Sequence, residues 1–155
     1  MKYYVNLVSV LCFLILSAFT ADTLEQGAFV CKVNGREMIL KDAKAKYRTI
    51  TGGHKQLSLS NDKFEAFVLL NPEERKIALS ESNNREVYVR YVEPGTDKIY
   101  KPLNGFVDIQ KLDLEKGIVS GVFEMVLINR QGAEKKITVT NGKFENIPIN
   151  ELKAF

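Results

Sequence analysis

From residue 28 onward, apolar and polar positions alternate along much of the chain with a period of two. Phe29, Cys31 and Val33 share one face of a segment whose other face carries Lys32. Ala43, Ala45 and Tyr47 oppose Lys44, Lys46 and Arg48. Leu57 and Leu59 oppose Gln56, Ser58 and Ser60. Val87, Val89 and Tyr91 share a face that Tyr88 and Arg90 do not. Val107 and Ile109 oppose Asp108 and Gln110, and Ile137 and Val139 oppose Lys136, Thr138 and Thr140. One buried face and one wet face per strand predicts an antiparallel sheet.

The segment from Gly117 to Asn129 is different. Val119, Gly121, Phe123, Met125 and Leu127 form one face; Ile118, Ser120, Val122, Glu124, Val126 and Ile128 form the other. Both faces are largely apolar, which predicts a central strand covered on both sides for much of its length. Gly121 suggests a bend or bulge within it. Turn signals punctuate the rest: Asn34-Gly35, Gly52-Gly53, Asn83-Asn84, Pro94-Gly95, Asn104-Gly105, Gln131-Gly132 and Asn141-Gly142. Asn-Gly tolerates the positive φ that tight hairpins need. Asn71-Pro72-Glu73-Glu74-Arg75 fits either one helical turn or a type I turn. No long stripe of period 3.6 follows. The chain is therefore expected to be all-β: an antiparallel β-sandwich or a small β-barrel of about eight to ten strands. Alternation is the same in both, so that choice stays open.

Residues 1–20 read as a signal peptide. Lys2 gives a positive start, Val8 and Val10–Leu16 an apolar core, and Ser17-Ala18-Phe19-Thr20-Ala21 a cleavage region. Ala18 and Thr20 take the two specificity positions, with the cut before Ala21. The apolar run is too short for a membrane span, which needs about 20 residues. Cys12 follows Leu11, and Phe13–Leu16 continue the apolar run beyond it, so lipidation there is not expected. Removal of this segment leaves residues 21–155 as one all-β domain without a transmembrane segment. The expected destination is the periplasm or the exterior.

Composition narrows the chemistry. With 155 residues, 45% hydrophobic and 26% charged, the chain is one globular domain and not a disordered one. A formal charge of +3 is too small to imply nucleic acid. Cys31 is the one cysteine after residue 20, so no intramolecular disulfide can form; its place in the alternation makes it a small core residue. His54 and Cys31 cannot supply a zinc site, and no calcium loop is present. His54 follows Gly52-Gly53 and belongs to an exposed turn; no nucleophile elbow accompanies it. The carboxylate pairs Glu73 with Glu74, and Asp108 with Glu124, need no function on a wet sheet face. No catalytic residue, metal or cofactor is expected. Lys44, Lys46 and Arg48, flanked by Lys41 and Lys55, are the candidate anion-binding residues, for a lipid, glycan or peptide. The plainer explanation is an edge strand kept soluble by its lysines. Of Tyr47, Tyr88, Tyr91 and Tyr100, Tyr91 belongs to the core and Tyr88 to the surface.

Four elements carry a resemblance. They are Phe29-Val30-Cys31-Lys32-Val33-Asn34-Gly35, Gly105-Phe106-Val107-Asp108-Ile109-Gln110-Lys111-Leu112-Asp113, Ile118-Val119-Ser120-Gly121-Val122-Phe123 and Ile137-Thr138-Val139-Thr140-Asn141-Gly142-Lys143-Phe144. In this order they resemble a Bacteroidetes family of small exported β-rich proteins, often lipoproteins, classed as a domain of unknown function. The resemblance implies a cell-envelope β-domain and no catalytic residues. This N-terminus departs from the lipoprotein members. The expected function is non-enzymatic binding or scaffolding of an envelope protein, glycan or lipid. The alternative is a lipocalin-like barrel carrying a small apolar ligand.

Overall fold

The computed structural model describes residues 27–41, 43–60, 64–80, 86–93, 95–129 and 135–153. The signal peptide with its cleavage residues Ala18, Thr20 and Ala21, and the turns at Asn83-Asn84 and Gln131-Gly132, lie outside these residues. The described residues form ten strands: β1 (Ala28–Val33), β2 (Arg36–Leu40), β3 (Lys44–Thr49), β4 (Lys55–Ser60), β5 (Phe64–Leu70), β6 (Lys76–Ser80), β7 (Val87–Val92), β8 (Ile99–Asp113), β9 (Ile118–Asn129) and β10 (Lys135–Lys153). The all-β expectation holds, and the choice between sandwich and barrel falls to the barrel.

Seven strands close into a ring: β3-β4-β5-β7-β8-β9-β10 and back to β3. The ring is an up-and-down path with an odd number of strands, so its first and last strands run the same way. The closing pair β3–β10 is accordingly parallel, with Ile149 beside Ala45 and Leu152 beside Tyr47. The expectation of a purely antiparallel sheet is corrected at this one seam. The long strands β8 and β10 turn the corners. The start of β8 pairs β7 at Tyr91–Tyr100, and its remainder pairs β6 and β9. β10 pairs β1 from Val139 to Glu145 and β3 from Ile149 to Lys153. Bulges make such corners possible. One falls between Pro102 and Asn104, another between Ile149 and Glu151. Pro148 stands in the gap between the β1 and β3 registers, where a missing N–H costs no ladder bond to either strand.

Several turn signals therefore act otherwise than expected. Asn34 (φ 50°) and Gly35 (φ 78°) do form the two-residue β1–β2 turn, and Gly52 and Gly53 (φ 85° and 79°) the β3–β4 turn. Asn104-Gly105 and Asn141-Gly142 are not turns; they lie inside β8 and β10 at register shifts. Asn71 has φ 47° and begins an irregular link, neither a helical turn nor a type I turn. Gly121 faces register shifts in both neighbouring strands, Ile109/Lys111 and Phe144/Ile147. β9 is central, but its second face is the barrel exterior: Val122 and Val126 are half-buried, Glu124 is exposed, and only Ile128 near its end is buried. β3, too, differs from the expected edge strand, being paired on both sides by β4 and β10.

The inward faces fill the barrel. Phe29, Phe67, Phe123 and Phe144 are fully buried. Their ring centroids lie 4.8 to 6.4 Å apart, Phe29 on Phe123 being the closest pair. Leu57, Leu69, Ile109, Leu127 and Ile137 pack around them. Phe29 comes from β1, outside the ring, so the β1–β2 hairpin covers and plugs the barrel as well as extending its sheet.

Candidate functional site

The tip of the β1–β2 hairpin is held against β10. Asn34 N donates to Thr138 O at 2.8 Å, and Asn34 Oδ1 accepts from Thr138 N at 2.9 Å. This brings Val33, Arg36, Glu37 and Met38 beside the end of β7 and the start of β10. Between them runs a groove of about 660 Å³. Val33, Met38, Tyr91 and Ile137 give it apolar walls; Arg36, Glu37, Glu93 and Lys135 give it charge.

The charges are of two kinds. Glu93 is fixed: Lys135 Nζ donates to its Oε1 at 2.5 Å, and the buried Tyr100 hydroxyl donates to its Oε2 at 3.2 Å. The side chain of Glu93 is 22% exposed and that of Lys135 is 51%. The Lys135 hydrogen bond holds the Glu93 carboxyl below its usual range, and the same bond raises the Lys135 ammonium. Burial, then the bond to Glu93, raises the Tyr100 phenol. Burial, then the Glu93 charge, raises Tyr91. Burial pushes the Cys31 thiol up to about 11. Arg36 and Glu37, by contrast, are exposed and hold no protein partner among the described residues. The site is thus an apolar floor with one locked ion pair and two uncommitted charges.

The residues expected from sequence are placed apart. Lys44, Lys46 and Arg48 do share the exposed outer face of β3. Arg48 Nε donates to Gln56 Oε1 at 2.7 Å, and Lys55 Nζ to Thr49 Oγ1 at 2.8 Å. A shallow depression of about 550 Å³ runs along Arg48, Thr49, Ile50, Thr51 and Gly53. His54 is exposed, and its Nδ1 meets the Asn71 amide at 3.2 Å. Asp108 and Glu124 sit on paired strands but face Val122 and Phe106, not each other. Glu73 pairs with Arg75 at 3.7 Å, and Glu74 Oε1 accepts from Leu112 N at 2.9 Å. Among the described residues, no cluster of three or more His, Cys, Asp or Glu side chains is placed to hold a metal. Tyr88 is 42% exposed, as the alternation indicates, and Tyr91 and Tyr100 are buried.

Fold and groove together define a small seven-stranded β-barrel with a packed interior and a mixed apolar and charged groove on its flank. No family model matches the chain, nor does any curated protein or solved structure.

Proposed function

We propose that this protein is an exported, non-enzymatic binding domain of the cell envelope, and that it takes its partner in the groove beside the β1–β2 hairpin. Membership among the small exported β-rich proteins of Bacteroidetes belongs to the same proposal and rests on the four sequence elements above. The observation that carries the binding site is the locked Lys135–Glu93–Tyr100 network beside the apolar surface of Met38, Tyr91 and Ile137. Fixed polar groups over an apolar floor are the usual make-up of a ligand site, and the volume lies within the common range of about 300–1,000 Å³. The basic face of β3 is a weaker candidate, since Arg48 is already engaged by Gln56.

The closure of the strands into a ring favours a second reading, a lipocalin-like carrier. A ligand inside this barrel would have to displace the four phenylalanine rings. Native mass spectrometry of the full-length gene product, recovered from the cells that make it, separates the two. A groove ligand appears as extra mass that Arg36→Glu abolishes while the near-ultraviolet spectrum stays unchanged. An interior ligand survives Arg36→Glu, and its removal alters the aromatic signals. A bare mass, with no partner cross-linked through Arg36 or Glu37, overturns both. A mass beginning near Ala21 bears on export.

A further inference from the structure

β2 is an edge strand: among the described residues it pairs β1 and nothing else. The two-residue turn sets which of its main-chain groups are used. Val33 and Arg36 flank the turn and exchange bonds, and so do Cys31 and Met38 two residues on. At the intervening pairs, Lys32–Glu37 and Val30–Ile39, the N–H and C=O of Glu37 and Ile39 point away from β1. Those groups have no partner among the described residues. Beside them, Arg36, Glu37 and Met38 form one wall of the groove. Ile39 is 53% exposed, the most exposed of the large apolar side chains among the described residues.

We propose that β2 is a docking edge, and that an extended segment of another polypeptide lies in the groove as an added strand. This rests on the groove being the binding site and names the class of its occupant. Main-chain bonds to Glu37 and Ile39 anchor the segment, and its alternate side chains meet Met38 and the apolar floor. Its other side chains stand beside Glu37 and Ile39. A basic residue suits the uncommitted Glu37 carboxylate, and an aliphatic residue two positions away suits Ile39. The preferred segment therefore reads basic, any, aliphatic along the face it shares with Glu37 and Ile39.

The test uses the full chain and a random linear peptide library. Enriched peptides are expected to carry a lysine or arginine two positions from an aliphatic residue. Ile39→Pro removes one outward N–H and no bond to β1, so the fold persists; it is expected to weaken these peptides about tenfold or more. Ile39→Thr keeps the N–H and keeps binding, and Glu37→Lys reverses the preference for the basic position. If Ile39→Pro does not fold, hydrogen exchange on the unaltered protein decides: the Glu37 and Ile39 amides become protected only when peptide is bound. Peptides that need Arg36 but ignore Ile39→Pro overturn strand addition and leave the groove as the site. Failure to enrich any peptide, beside a small-molecule mass lost with Arg36→Glu, does the same. Self-association abolished by Ile39→Pro overturns the peptide in favour of a second copy of this chain.

Discussion

Gly142 on β10 stands directly across the ladder from Phe123 on β9, and the Phe123 ring lies against it. A Cβ at Gly142 would fall 2.6 Å from Phe123 Cδ2 and 2.4 Å from its carbonyl oxygen. The relation is reciprocal: Phe144 faces Gly121, where a Cβ would fall 2.4 Å from Phe144 Cζ. Each strand thus gives the other a ring and a bare stretch of backbone to rest it on. Gly121→Ala and Gly142→Ala are each expected to destabilise the protein by about 2 kcal/mol, as overpacked cores do. Urea unfolding checks this; an unchanged midpoint for either variant would show that the ring can move aside freely.

Phe29 reaches the centre of the barrel from a strand that is not part of the ring. Its fully buried ring meets Phe123 at 4.8 Å and Phe67 at 6.1 Å. Phe29→Ala is expected to cost about 3–5 kcal/mol, the range for emptying a buried aromatic site. A cost near that of an exposed substitution would mean that the hairpin only decorates the barrel.

The network at Glu93 makes stability depend on pH at both ends. Glu93 is held below its ordinary value of 4.5, so its contribution is present above that value and lost as pH falls through the lowered one. Lys135 and Tyr100 are raised above 10.5 and 10.0. Their contributions are complete below those values and lost as pH rises through the raised ones. Thermal midpoints of the unaltered protein and Glu93→Gln should therefore differ most near neutrality and converge in acid. A difference that stays constant with pH would assign the effect to shape and not to charge.

The thiol of Cys31 is protected twice. It is fully buried, and burial lifts its ionisation to about 11. At pH 8 a thiol reagent should modify it only as fast as the protein opens, and at once in denaturant. Rapid labelling of the folded protein would mean that the hairpin lifts off the barrel without global unfolding.

The orientation of strands is legible in the sequence because alternation records which side chain faces the core. Leu57, Leu59, Val87, Val89, Ile137 and Val139 are all inward, and Lys44, Lys46 and Arg48 are all outward. Alternation records nothing about which strand lies beside which. Asn104-Gly105 and Asn141-Gly142 have the composition of turns, but tertiary pairing carries β8 and β10 straight through them as bulges. The groove was hidden for the same reason. Arg36 and Glu37 sit on β2, Glu93 just past the end of β7 and Lys135 at the start of β10, and each alone looks like an ordinary solvated charge. The burial of Tyr91 and Ile137, which form part of the groove wall, could be read from the alternation they share with Val87, Val89 and Val139.

The parallel seam between β3 and β10 also sets an order of events. Ile149 to Lys153 close the ring against a strand near the other end of the described chain, so the ring cannot shut during synthesis until those residues have emerged. Until then β3 has β4 on one side and an open edge on the other. Such long-range pairing is slow to form, because loop closure must come first. The outer edge of β3 is therefore the last ring edge among the described strands to find its partner, and the Ile149–Lys153 segment is the latch that the other six strands wait for.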